Sequence, residues 1–178
     1  METSYIRIFR NKKGQSIIIK SLDWSILFKF SEFLRNHVSK SEDFFEIKKI
    51  FSLKKESESL TDIMKMVEDG DSVILCALFE NKVIGYVTIL RDKNHKGDLE
   101  IFIHKDHRNN GLGKELILSS IKVIKNLDTK NIYLSVRENN KIAISLYKKL
   151  GFIKIEKRDN NIIYKKSTVS QIIMIKRI

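Results

Sequence analysis

The chain has 178 residues, 42% of them hydrophobic, and its 34 Lys and Arg outnumber 22 Asp and Glu for a formal charge of +12. This length and apolar content suit one globular domain over residues 1–178, while no run approaches the ~18–20 apolar residues of a membrane span and residues 1–7 lack the basic-then-apolar order of a secretory signal, so a cytoplasmic location is expected. A single cysteine, Cys76, excludes an internal disulfide. The positive charge favours polyanionic partners (nucleic acid, anionic lipid or a phosphorylated cofactor) without choosing among them.

In chain order, a strand is expected over residues 5–9, a turn at Asn11-Lys12-Lys13-Gly14 and a second strand over 15–20, making a hairpin. Asp23 is a candidate cap for a helix whose apolar positions Trp24, Leu27, Phe30, Leu34 and Val38 recur at three- and four-residue steps. Residues 39–58 mix charges with Phe44, Phe45, Ile47, Ile50 and Phe51 and read as a partly helical excursion with a buried side. A short helix over 60–68 should end at Asp69-Gly70-Asp71.

The apolar runs 72–79 and 83–90, joined by Glu80-Asn81-Lys82, predict an antiparallel hairpin with Cys76 as a buried core thiol. A charged loop over 91–96 and Gly97 lead into a strand over 99–103. Residues 111–127 turn helical, with Leu112, Leu116, Ile117, Ile121 and Ile124 near one face, and a strand over 131–136 and a helix over 141–150 follow. The order strand, helix, strand, helix predicts a parallel pair inside an otherwise antiparallel sheet. Three further strands are expected at 152–157, 161–164 and 171–176. The fold class is therefore α/β (α+β), a mixed and mostly antiparallel central sheet flanked by helices. Exposed strand edges leave room for a homodimer.

The stretch from Ile101 to Leu116 carries the chemistry: a strand ends, a polar loop follows, and a helix begins at Gly111 and Gly113. Side-chain-free glycines let a phosphate approach the main chain, the N–H groups of the first helical turn point at it, and Arg108 and Lys114 add charge. Alone, such a string is a weak signal. Here a second pattern follows in Val136 to Phe152: Asn140, then Ala143 three residues on, Tyr147 four beyond that, and a closing Gly151-Phe152. Together the two patterns resemble the GCN5-related N-acetyltransferase (GNAT) family, most clearly over residues 73–152. Nothing before Gln15 has an obvious counterpart.

The resemblance implies the acyl-CoA N-acyltransferase fold, in which the two parallel strands splay apart after a bulge. It implies an N-acetyltransferase that moves the acetyl group of acetyl-CoA, a cosubstrate, to a primary amine by direct attack through a tetrahedral intermediate. Phe102 and Ile103 would offer main-chain groups to the acetyl carbonyl and pantetheine arm, and the Ile103 N–H would stabilise the oxyanion by about 3 kcal/mol. Arg108, Asn109, Asn110, Gly111, Leu112 and Gly113 would hold the pyrophosphate, with Lys114 beside it.

Asn140, capping its helix, would bond the pantetheine arm, and Ala143 and Tyr147 lie on the same helix, Tyr147 about two turns from Asn140 and on the same face. Tyr147 would protonate the leaving thiolate, although it also belongs to a core stripe with Ile142, Leu146 and Leu150. Glu100 is the first candidate for the base that takes the amine proton, Asp98 the second, and a water chain the third. Lys105 stands where the family often has proline, and Asn109-Asn110 replaces its usual basic or glycine pair. His104 and His107 lack further ligands at metal spacing, so no metal is expected.

Two other readings compete. A basic nucleic-acid-binding protein would fit the charge, but no helix-turn-helix, zinc-finger or RNA-stacking motif is present. An acetyl-CoA-binding sensor without catalysis would fit the fold, and the presence of Tyr147 and a nearby acid argues against it. The acceptor stays open among a protein amino terminus, a lysine, a polyamine, an antibiotic amine and an amino acid, because residues 20–71 carry no readable motif.

Overall fold

Alternating burial along a short N-terminal hairpin starts the sheet. Strands β1 (Ile6–Arg10) and β2 (Ser16–Ser21) pair antiparallel, with Ile17 and Ile19 buried and Ile18 turned outward opposite Ile8. The computed structural model describes residues 4–38, 56–164 and 167–178. Helix α1 (Leu27–Phe33) runs on into a wider π turn at Leu34–Val38. It begins later than its periodicity suggests. Asp23 does not cap it: the carboxylate accepts the Ser25 N–H at 3.0 Å and pairs with Lys20 at 2.6 Å, shaping the turn before the helix. Trp24 consequently lies outside the helix, 61% exposed, with its indole N–H on Glu68.

Of the excursion expected over 39–58, residues 39–55 lie outside the described residues. Helix α2 (Glu56–Glu68) takes in the expected helix and starts one turn earlier. Strands β3 (Ser72–Phe79) and β4 (Lys82–Arg91) then form the sheet's centre, joined by Glu80 and Asn81, both with positive φ, the two-residue turn that matches strand twist. Helices cover both faces of these strands, which is why their sequences are almost continuously apolar.

Strand β5 (Lys96–Ile103), helix α3 (Leu112–Ile124), strand β6 (Asn131–Arg137) and helix α4 (Lys141–Lys149) follow in the expected order. The eight strands of the described residues lie in the order β1-β2-β3-β4-β5-β6-β8-β7, and every neighbouring pair is antiparallel except β5 and β6. The tail differs from expectation. Instead of three short strands it forms one hairpin of β7 (Ile153–Tyr164) and β8 (Ser167–Arg177), with register shifts at Lys154/Glu156 and Arg158/Ile162 that broke the sequence pattern into apparent pieces.

Two apolar cores flank the sheet. On one side Ile17, Leu75, Val87, Leu99 and Leu134 meet Leu116, Ile117 and Ile121 of α3 and Tyr147 of α4. On the other, Cys76, Tyr86 and Phe102 meet Phe30 and Phe33 of α1 and Ile63 and Met64 of α2, with Phe30 edge-on to Tyr86 at 5.4 Å. Each such buried side chain contributes about 1.5–3 kcal/mol relative to exposure. Cys76 is fully buried, and burial pushes its thiol well above the ordinary range, so it is held as an inert core group.

Candidate active site

The parallel pair does not stay together. β5 and β6 are in register only from Lys96–Asn131 to Asp98–Tyr133, whereas β5 remains paired with β4 as far as Gly85–Ile103, and β6 remains paired with β8 as far as Arg137–Gln171. Held by different neighbours, the two strands diverge toward their C-terminal ends and open the sheet. A bulge, expected at this splay, sits in β4: Ile84 is the extra residue between the pairs Ala77–Gly85 and Leu78–Val83. Gly85 lets β4 and β5 approach closely there, since a Cβ would stand 2.8 Å from the Phe102 carbonyl oxygen.

Strand geometry then aims the main chain. The His104 N–H donates to the Ile84 carbonyl at 2.8 Å on the β4 side. Successive peptide groups alternate sides along a strand, so the Ile103 N–H and carbonyl face the opening toward β6. Arg108 folds back onto that position: its Nε donates to the Ile103 carbonyl at 2.8 Å, and its guanidinium carbon lies 5.7 Å from the Phe102 ring centre.

Beyond a short 3₁₀ turn at Lys105–His107, the chain reaches Gly111, which has φ of +87° and starts α3 without a side-chain cap. A left-handed residue is needed here, and glycine takes that conformation without strain. The next helix, α4, starts at Asn140, whose side-chain oxygen accepts the Ala143 N–H at 3.2 Å. Tyr147 follows on the same face, 7% exposed, its ring edge-on to Phe152 at 5.8 Å, and burial pushes its phenol up to about 12.

These parts surround a cleft of about 1010 Å³. Of the expected site residues, Phe102, Ile103, Arg108, Asn109, Gly111, Gly113, Lys114, Asn140, Ala143 and Tyr147 line it. Three do not. Leu112 is a core residue, and Asn110 is buried with its carbonyl accepting the Lys12 N–H at 3.3 Å. Glu100 projects from the opposite sheet face, with Phe102 and beside Tyr86, whose phenol is raised first by burial and next by the Glu100 charge. Strand rise separates Glu100 from Ile103 by about 10 Å along β5. Asp98, two residues earlier on that face, is exposed.

The sequence reading gave no binding role to Lys12, Asn36, His37, Lys105, Arg137, Lys141 and Lys149, which also line the cleft. Five of these are cations in a lysine-rich chain, and composition alone gave them no distinguishing signal. Placed together, seven Lys and Arg residues line the cleft and no Asp or Glu does, among the described residues. His37 packs edge-on to His104 at 4.6 Å, closing one wall where α1 ends. His107 is held below the ordinary imidazole range by burial and by His104. Among the described residues no group of three or more His, Cys, Asp and Glu is arranged to hold a metal, and no helix is long and apolar enough to cross a membrane.

Comparison with known proteins gives this geometry a context. The chain is 37% identical over 105 residues to an N-alpha-acetyltransferase of Sulfurisphaera tokodaii, covering 51% of this chain and 62% of that protein. It is 26% identical over 102 residues to a spermidine N(1)-acetyltransferase of Thermoplasma acidophilum, covering 57% of this chain and 63% of that one. It thus spans less than two thirds of the length of these curated relatives. The crystal structure of a GNAT-family acetyltransferase from Streptococcus pneumoniae superposes with a TM-score of 0.79 at 26% identity, over 91% of this chain and 99% of that one. The family model described as the acetyltransferase (GNAT) family matches residues 36–152, from the end of α1 through the cleft to Phe152, and the chain belongs to that family.

Proposed function

We propose that the protein transfers the acetyl group of acetyl-CoA to a primary amine. The observation that carries this reading is the cleft itself: an opening between diverging β5 and β6, lined among the described residues by seven Lys and Arg and no Asp or Glu, with an uncapped helix start at one part and a buried phenol at another. Such a lining suits a long ligand that is polyanionic at one end, and the three phosphates of CoA meet that description.

In this reading the α3 start, Lys114 and Arg108 hold the pyrophosphate. Arg108 turns away from the Ile103 carbonyl to do so, which leaves that carbonyl to accept from the pantetheine amide. The Asn140 side-chain oxygen is committed to its helix, so its amide nitrogen is the group that donates to the pantetheine arm. The Ile103 N–H donates to the thioester oxygen as negative charge develops on it. The acceptor amine approaches from the α1 face, where Glu100 takes its proton directly or through water, with Asp98 the next candidate. The amine nitrogen bonds to the acyl carbon, the carbon–sulfur bond breaks, and Tyr147 gives its phenolic proton to the sulfur. The high proton affinity of Tyr147 keeps it in the donor form throughout the neutral range. An N-alpha-acetyltransferase and a spermidine acetyltransferase among the relatives support amines as the acceptor class and leave peptide and polyamine acceptors both in play.

The test is calorimetric titration of the purified protein with acetyl-CoA, followed by thiol release over a panel of peptide amino termini, lysine, polyamines and aminoglycosides. Saturable binding and thiol release that depends on one amine class are expected. Absence of both heat and thermal stabilisation by acetyl-CoA would defeat the proposal.

A further inference from the structure

The N-terminal hairpin precedes residue 36, where the family match begins. It is nevertheless fastened along the phosphate loop and the first half of α3. The Arg7 guanidinium pairs with Glu115 at 2.8 Å, and the Tyr5 hydroxyl shares a hydrogen bond with Ser119 at 2.9 Å. The Phe9 ring packs 3.5 Å from where a Cβ on Gly111 would stand. At the tip, the Lys12 N–H donates to the Asn110 carbonyl at 3.3 Å, directly beside the helix start.

The tip is also built to hold one shape. Asn11, 5% exposed, accepts the N–H groups of Lys13 and Gln15 on its side-chain oxygen at 2.9 and 3.0 Å, and its amide donates to the Gln15 side chain at 2.8 Å. With both its base and its tip fixed, the hairpin sets Lys12 in the wall of the cleft, while its neighbour Lys13 stays out of the lining. No carboxylate lines that cleft among the described residues, so Lys12, exposed in its wall, adds to a lining of like charge that favours an anion.

We propose that Lys12 is a phosphate-binding residue, its ammonium gripping a phosphate of CoA from the hairpin side while the glycine loop and α3 hold the same ligand end by main-chain groups. This rests on the acetyl-CoA reading above. A lysine serves here as a compact point charge that can follow a phosphate without demanding one geometry. The phosphate in question is either the pyrophosphate or the 3′-phosphate, and the two are separable by ligand.

The experiment is titration of the wild type, Lys12→Ala and Lys13→Ala with CoA and with 3′-dephospho-CoA, at low and moderate salt. Lys12→Ala should weaken CoA binding about five- to tenfold, the range expected for a charge-assisted contact partly open to solvent, and flatten the salt dependence. Lys13→Ala, which removes the same charge one residue away, should change it less than twofold. A Lys12→Ala loss that persists with 3′-dephospho-CoA assigns the contact to the pyrophosphate, and one that disappears assigns it to the 3′-phosphate. Equal losses in the two variants, or none in Lys12→Ala, would overturn the assignment in favour of a diffuse field or no contact. A wild type that binds no CoA would instead defeat the functional reading on which the assignment stands.

Discussion

Two helices open onto the same cleft and begin in opposite ways. α3 starts at Gly111, a left-handed residue with no side chain to turn back on the first helical N–H groups. α4 starts at Asn140, which closes its own end by taking the Ala143 N–H. Free N–H groups at a helix start are a standing demand for an acceptor, and a side-chain cap answers part of that demand from within the chain. The contrast separates two tasks. The α3 start has no side-chain cap, which in the proposed reading leaves its donors for a ligand, while the α4 start uses one on Asn140 to hold the helix that carries Tyr147.

The largest break in that contrast comes from Gly111→Glu. A side chain at φ of +87° costs about 1–2 kcal/mol of strain, and a carboxylate would bring negative charge to the open helix start. Acetyl-CoA affinity should fall on the order of 100-fold or below detection in calorimetry, with a thermal melt run alongside to show that the variant folds. Retained binding in a folded variant would mean that the uncapped start is not the anion site.

Tyr147→Phe probes what α4 delivers. The ring keeps its edge-on contact with Phe152 and loses only the hydroxyl, so folding and acetyl-CoA affinity should hold while kcat drops on the order of 100-fold, as for loss of a general acid. The pH profile sharpens the point. Because the phenol is pushed up to about 12, the donor form persists as pH rises past 10, and the wild-type kcat should show no basic limb from Tyr147 below pH 10. An unchanged kcat in the variant would return Tyr147 to the core it shares with Leu150 and Phe152.

The sequence made both helix starts readable because each is local: Gly111 and Gly113 sit two residues apart, and Asn140, Ala143 and Tyr147 are joined by helical spacing alone. The order of elements likewise carried the parallel pair. What escaped depends on distant partners. Lys12 meets Asn110 across almost a hundred residues, and no pattern around residue 12 distinguishes it from the other lysines. Arg108 stands in the string that suggested phosphate binding, but its bond to the Ile103 carbonyl could not be read there, being set by which strand edge is left open. Trp24 looked helical by period, but Asp23 spends its carboxylate on Ser25 and Lys20, and the helix waits until Leu27. In the tail, register shifts in β7 interrupted the alternation from which strands are recognised.

The smallest expected effects belong to Asn140, where the two tasks meet in one side chain. Loss of the cap in Asn140→Ala should cost about 1 kcal/mol, a fall in Tm of roughly 2–4 °C for a chain of this size, and should weaken acetyl-CoA binding as well. That result alone cannot separate a frayed helix from a missing ligand contact. Asn140→Asp can. An aspartate caps as well as asparagine and suits the positive end of the helix, so Tm should stay at or above the wild-type value. Yet it has no amide nitrogen to donate and sets a negative charge in a cleft that no other carboxylate lines among the described residues, so affinity should still fall several-fold. If Asn140→Asp binds acetyl-CoA as the wild type does, Asn140 is a cap and nothing more. α4 would then contribute to the reaction through the position of Tyr147 alone, and the division of labour between the two helix starts would be complete rather than partial.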